Sequence, residues 1–259
     1  MSQSSNQSNQ HSLIDTIRDN LAPVHSDGYK FLIPAGLLAV FLWFMLPFSF
    51  LAYLALLLAV YIAYFFRDPA RVTPMREGLV ISPADGRVSS IERIKPPAEL
   101  GLGSEERLRI SIFLSVLDVH INRAPVAGKL VKSIYVPGAF MNAALDKASE
   151  ENERRSIVIA SQPSVSSSSG AGAGHSSGYD IAVVQIAGLI ARRIVTFVKE
   201  GDSVGKGERF GLIRFGSRVD VFLPPGHGCL VAVGQRAIGG ETVLADLAST
   251  EPERESRVV

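Results

Sequence analysis

Between Phe31 and Phe66 the chain carries no charged residue. A helix that crosses a bilayer needs about 20 consecutive apolar residues. This run of 36 is too long for one straight span and slightly short for two full ones. Pro47 stands near its middle, where a proline removes an amide donor and crowds the preceding turn. Pro47-Phe48-Ser49 therefore marks a break between two short helices, about 31–46 and 49–66, expected to form a hairpin. A helix packed in a soluble core normally keeps a polar face, and neither half has one, so the hairpin is expected to associate with a membrane. Trp43, Tyr53, Tyr61 and Tyr64 are suited to anchoring at interfaces. Lys30 flanks one end, and Arg67, Arg71 and Arg76 flank the other. Positive charge at both ends assigns both to the cytoplasmic side.

Residues 1–12 are mostly Ser, Gln and Asn and are expected to be disordered. No basic stretch leading into an apolar core and cleavage site precedes the hairpin, so no secretory signal is expected. Leu13–Leu21 reads equally as a short amphipathic helix or as the start of a linker, and residues 1–30 together form a disordered or weakly helical N-terminus. The net charge of +1 argues against a nucleic-acid partner held by bulk positive charge. The single cysteine, Cys229, permits no internal disulfide and no thiolate pair, and no metal site is expected.

After Arg76 the composition changes to glycines, prolines and short β-branched runs. Candidate strands are 79–82, 86–94, 108–114, 128–136, 156–161, 179–186, 194–198, 210–215, 219–223 and 230–232. Short strands separated by turns predict a mainly β domain over 67–249, built of antiparallel sheets as a β-sandwich or barrel-like hybrid. Residues 161–178 are Ser- and Gly-rich and are expected to be a flexible loop with His175 solvated. The tail from 250 is expected to fray. Residues 198–208 look like the turn-rich segment of a biotinyl- or lipoyl-type domain. Lys206 lacks the flanking residues of a carrier lysine, which leaves it a turn residue.

Within this β pattern one interruption stands out. Val219, Val221 and Leu223 alternate with Asp220 and Phe222 as in a half-buried strand, and Gly216-Ser217 immediately precedes them. On its own, such a pair is a bulge or a tight bend. It keeps company with Phe65-Phe66-Arg67-Asp68-Pro69-Ala70-Arg71, with Ser82-Pro83-Ala84-Asp85-Gly86, and with the segment from Phe113 to Pro125 that contains Asp118, His120, Asn122 and Arg123. It also follows the segment from Asn142 to Arg154. In this order, over most of residues 25–245, these motifs resemble the short-form bacterial and archaeal phosphatidylserine decarboxylases.

The resemblance implies an enzyme, a carboxy-lyase that converts phosphatidylserine to phosphatidylethanolamine and CO₂. In that family the Gly-Ser bond is cut by the protein itself and the serine becomes a pyruvoyl group, here from Ser217. Loss of CO₂ from an α-amino acid leaves a carbanion for which ordinary side chains offer no electron sink. A carbonyl cofactor that forms a Schiff base with the amine supplies one, and no other cofactor motif is present. The cut at Gly216-Ser217 would give a β chain of residues 1–216 and an α chain of 217–259. These would pair as a heterodimer or a higher oligomer at the cytoplasmic face of the cell membrane. Asp85 and His120 are the candidates for proton handling. By themselves they read as an Asx-turn residue and a structural histidine. Long-form members carry a second histidine where this chain has Arg123, and Leu-Gly-Ser-Thr where it has Phe-Gly-Ser-Arg. Arginine stays protonated and cannot act as a base, so Arg123 is instead a candidate for contact with a phosphate or carboxylate. Residues 140–154 are helix-prone, and Phe140, Asn142, Lys147 and Arg154 form either a lid over the substrate headgroup or a solvated helix. The rival from another class is a non-catalytic, membrane-anchored adaptor with a lipoyl-like β domain.

Overall fold

The computed structural model describes residues 22–46, 49–141, 151–161, 178–188, 193–214 and 217–249. Segment 13–21, the break at Pro47-Phe48, Asn142 and Lys147, loop residues 162–177 with His175, Phe215-Gly216 and the tail lie outside them. The chain divides into two compact units, Met1–Ala70 and Arg71–Val259.

The first unit holds two helices, α1 (Ser26–Met45) and α2 (Phe50–Phe65). Helix α1 starts five residues ahead of the apolar run because His25 caps it. The His25 side chain accepts from the Asp27 amide, and Asp27 places negative charge in the first turn, where the helix dipole favours it. Lys30 is consequently a helical residue paired with Asp27, and Pro34 falls inside the helix. Ser49 caps α2 through the Ala52 amide. Ala52, Ala55 and Ala59, with Phe65 at the end, are buried along α2, and Gly28 and Ala39 are buried on α1. Small side chains at such spacing let two helices approach closely without relying on polar contacts. The other faces carry exposed Leu37, Phe41, Phe44, Leu54 and Leu57. The 20 residues of α1 span roughly 30 Å at 1.5 Å per residue, enough for a bilayer core, whereas the 16 of α2 fall short. Trp43 and Tyr53 meet edge to face at 5.7 Å near the closed end. At the open end Arg67 lies 3.8 Å over the Tyr64 ring, and the His25 amide donates to Phe66 O at 2.8 Å.

The second unit is mainly β. Its strands are β1 (Leu79–Ile81), β2 (Gly86–Ile94), β3 (Arg107–Leu114), β4 (Ile121–Arg123), β5 (Gly128–Val136), β6 (Arg154–Ala160) and β7 (Asp180–Ala187). They continue with β8 (Ile194–Thr196), β9 (Ser203–Val204), β10 (Arg209–Ile213), β11 (Ser217–Phe222), β12 (Arg236–Ala237) and β13 (Val243–Asp246). Eight form one antiparallel sheet in the order β12-β2-β3-β11-β7-β6-β5-β9. Smaller sheets join β4-β10-β8 and β1-β13. Residues 230–232, expected as a strand, form none, while β4, β9, β12 and β13 were not anticipated. These are two- to four-residue strands, too short for an alternating pattern to show.

Strand β11 lies between β3 and β7, with Ser217 opposite Leu114 and Ala187. The expected half-buried strand is corrected here, because every residue from Ser217 to Phe222 is buried. Val219 and Val221 join the main core with Ile110, Ile112, Val183 and Phe210. On the opposite face Phe222 packs with Leu100, Val158, Ala182, Val184 and Ile186. Arg218 and Asp220 also lie on that second face. They are tolerated there because they satisfy one another through two hydrogen bonds of 2.9 and 3.0 Å, as buried charges must.

Candidate active site

Ser217 opens β11 with its side chain on the core face, fully buried. Its Oγ has no hydrogen-bond partner among the described residues. Burying an unpaired hydroxyl costs on the order of 1–3 kcal/mol, so such a group in a native fold calls for an explanation, and catalysis is one.

His120 ends the connection that leaves β3 after Leu114. It is 2 % exposed, and its Nδ1 stands 2.9 Å from Asp118 O. A carbonyl can only accept, so Nδ1 carries a proton, and in the neutral form of the ring the acceptor nitrogen is Nε2. The residue that supplies this acceptor is itself tethered through its carboxylate. Asp118 Oδ2 accepts from both the amide and the hydroxyl of Ser115 at 2.8 Å, and its Oδ1 accepts from Arg236. Two tethers connect His120 to the chain around Ser217. Leu114, directly across from Ser217, begins the connection, and the Ile213 amide, four residues before Ser217, donates to His120 O.

Asp85 sits in the turn ahead of β2. Both its oxygens accept from Arg71 Nη2, at 2.9 and 2.8 Å, and Oδ1 also accepts from the Gly239 amide at 2.8 Å. The next residue must be glycine, since Gly86 has φ +155° and a Cβ there would collide with Phe113 O. Pro83 O, in the same turn, takes the Arg123 amide and faces Asn122 Nδ2 at 3.5 Å. The Asp85 turn is thereby tied to β4, which follows His120 directly. Asn122 is fully buried and its Oδ1 accepts from Gln185 Nε2 at 2.7 Å. Gln185 lies on the same face of the sheet as Ser217, one pleat further along β7.

Arg123 is buried, donates through Nη1 to Gly207 O at 3.1 Å, and packs on Gly240. The structure thus engages it in holding β4 to the 205–208 turn. Phe140 is exposed. Arg154, expected in a helix, instead starts β6 and pairs with Glu99 through two hydrogen bonds. Asn152 anchors this region: it exchanges hydrogen bonds with the Met141 backbone and donates to Ala187 O at 2.7 Å, beside Ser217. Lys206 donates to Arg76 O at 2.7 Å, which makes it a tether and not a displayed carrier amine. Sequence reasoning gave no role to Asp118, Asn122, Asn152 or Gln185, although the first three lie in the segments it singled out. No cluster of metal ligands occurs among the described residues.

A family profile described as phosphatidylserine decarboxylase matches residues 58–245. The chain is 52% identical over 241 residues to a phosphatidylserine decarboxylase proenzyme of Xanthobacter autotrophicus, covering 93% of this chain and 96% of that one. It is 53% identical over 235 residues to a protein of the same name from Azorhizobium caulinodans, covering 91% and 94%.

Proposed function

The chain belongs to the phosphatidylserine decarboxylase family, and from that premise we propose that Ser217 is both the self-cleavage residue and the source of a pyruvoyl group. The protein converts phosphatidylserine to phosphatidylethanolamine and CO₂. The observation that carries the proposal is the Ser217 Oγ, buried and unpartnered at the first position of a central strand.

Maturation uses the chain's own atoms. Ser217 Oγ bonds to the Gly216 carbonyl carbon, the Gly216–Ser217 C–N bond breaks, and the hydroxyl proton passes to the new amine. Loss of the residue 217 Cα proton then expels the Gly216 carboxylate from the ester and leaves dehydroalanine. Its enamine tautomerises, water adds, ammonia leaves, and a ketone remains at the start of the α chain. A base must take the hydroxyl proton and later the Cα proton. Nε2 of His120 is suited to this, because its ring is oriented by Asp118 O and its unperturbed pKa of about 6.5 allows traffic in both directions. Asp85 is held by Arg71 and Gly239. We assign it to positioning the Pro83–Gly86 turn during cleavage. The pyruvoyl group would supply a carbonyl for the substrate amine and an electron sink for the pair left on the substrate α-carbon when CO₂ departs. His120 then delivers the proton that replaces the carboxylate, and Phe140 and Asn142 are assigned to the headgroup. Arg123 is proposed to hold β4 in place.

Helix α1 is long and apolar enough to cross a membrane, and a hairpin at the bilayer suits a substrate that stays there. The cytoplasmic face is proposed from Arg67, Arg71 and Arg76. The two chains should stay together after cleavage. Residues 217–259 supply β11 between β3 and β7, β12 on β2, and β13 on β1. The test is Ser217→Ala: it is expected to run as one chain and to release no CO₂ from phosphatidylserine. Wild-type turnover by that variant would refute the assignment.

A further inference from the structure

A cavity of about 270 Å³ opens on the sheet face opposite the Ser217 side chain. It lies between the end of β2, with Ile94, Lys95 and Pro97, and the outer face of β3, β11, β7 and β6. Three cations line it, Lys95, Arg109 and Arg154, against one acid, Asp220, which Arg218 already neutralises. Its apolar wall is formed by Ile94, Val184, Ile186 and Phe222.

The polar groups here are incompletely used. Arg109 is 7 % exposed, and its Nε has no partner among the described residues. One Nη of Arg109 pairs with Glu92, whose side chain is half exposed and can yield to a competitor. Ser111 and Ser156 occupy the same face, opposite Asp220 and Val184 respectively. Both are buried and neither hydroxyl has a partner among the described residues. Arg154 approaches from the far side, held by Glu99. A buried guanidinium with an unused N–H, two further cations at the rim and an apolar wall suit an anion with several acceptor oxygens joined to an apolar body. A carboxylate offers two such oxygens and a phosphate up to four.

We propose that this cavity is a phosphate-binding site, separate from the reaction centre, for an anionic glycerophospholipid or the phosphate of its headgroup. Arg109 is the principal ligand, with Lys95 and Arg154 completing the charge. The proposal does not depend on the pyruvoyl assignment.

The test uses the full chain in detergent and titrates two probes, inorganic phosphate and dihexanoyl phosphatidylglycerol, followed by ³¹P NMR. The second probe has no amine and cannot condense with a carbonyl at residue 217. Both Arg109→Gln and Lys95→Glu are expected to weaken binding, Arg109→Gln at least tenfold, as loss of a charge-assisted hydrogen bond implies. Ser217→Ala is expected to bind as wild type does. Cooperative urea unfolding of the two cavity variants, with midpoints near that of wild type, reports that they fold. Lys95 is exposed, so its variant keeps the test alive if Arg109→Gln does not fold. Binding of both probes supports a site for the phosphate itself, and binding of the lipid alone supports one that also needs the apolar wall. Binding of neither, equal affinity in the folded cavity variants, or loss of binding in Ser217→Ala would overturn the proposal.

Discussion

At the scale of single residues, the proposal gives His120 a part in both chemical steps and Asp85 a part in the first alone. His120→Ala is expected to cut turnover per matured chain by roughly 10²–10⁴, the usual cost of a lost general acid. Asp85→Asn should mainly slow chain cleavage. Gel densitometry beside CO₂ release distinguishes these outcomes, and wild-type turnover by matured His120→Ala would remove His120 as the proton donor. Arg71→Met leaves the Asp85 carboxylate without its ion partner where both side chains are 10% exposed. A broken buried pair costs about 3–5 kcal/mol, and Arg71→Met/Asp85→Asn should recover part of that in urea denaturation. Ser217, His120 and Asp85 could be singled out from the sequence because each stands in a short motif whose order could be recognised. The grip of Arg71 on Asp85, the clamp of Asn152 on Met141 and Ala187, and the Gln185–Asn122 pair were not. Each joins residues 11 to 63 positions apart, and no local pattern specifies such a meeting. The bond from Arg123 to Gly207 O is equally non-local, and nothing nearby in sequence announces that acceptor.

At the scale of elements, the longer strands were legible and the short ones were not. Strands β2 and β5 have nine residues each and were expected with the bounds they have. Strand β11 was expected, but its double burial was not, because Arg218 and Asp220 look solvated until their mutual pairing is known. The helices were legible as two apolar halves, while the cap that moves α1 back to Ser26 rests on a histidine, an uncommon N-cap. The turn after β11 carries His227, which packs edge-on against Tyr179 at 5.5 Å. Burial lowers its pKa below the ordinary histidine value. The unfolded chain therefore takes up this proton more readily than the folded one, and stability should fall as pH drops through and below about 6.5. Urea midpoints of His227→Gln should be flatter between pH 7 and 5 than those of wild type. An equally steep decline would place the acid sensitivity elsewhere.

At the scale of the whole molecule, an apolar helical pair and a β domain share one chain, and the proposed cut falls inside the β domain. Deleting residues 1–66 removes both apolar helices and is expected to move the protein from the membrane pellet to the supernatant. Full sedimentation of the truncated protein with lipid would mean that another surface anchors it. The cut itself should not separate the pieces in native conditions, because β11 sits between strands of the other chain. The central claim, that Ser217 is consumed to make the reactive carbonyl, is tested most directly by intact-mass analysis of the purified wild-type protein under denaturing conditions. The account predicts two chains, 1–216 and 217–259, with the smaller one lighter by one ammonia than the same peptide beginning in serine. A single uncut chain in active enzyme, or a small fragment that retains its amino-terminal serine, would contradict it.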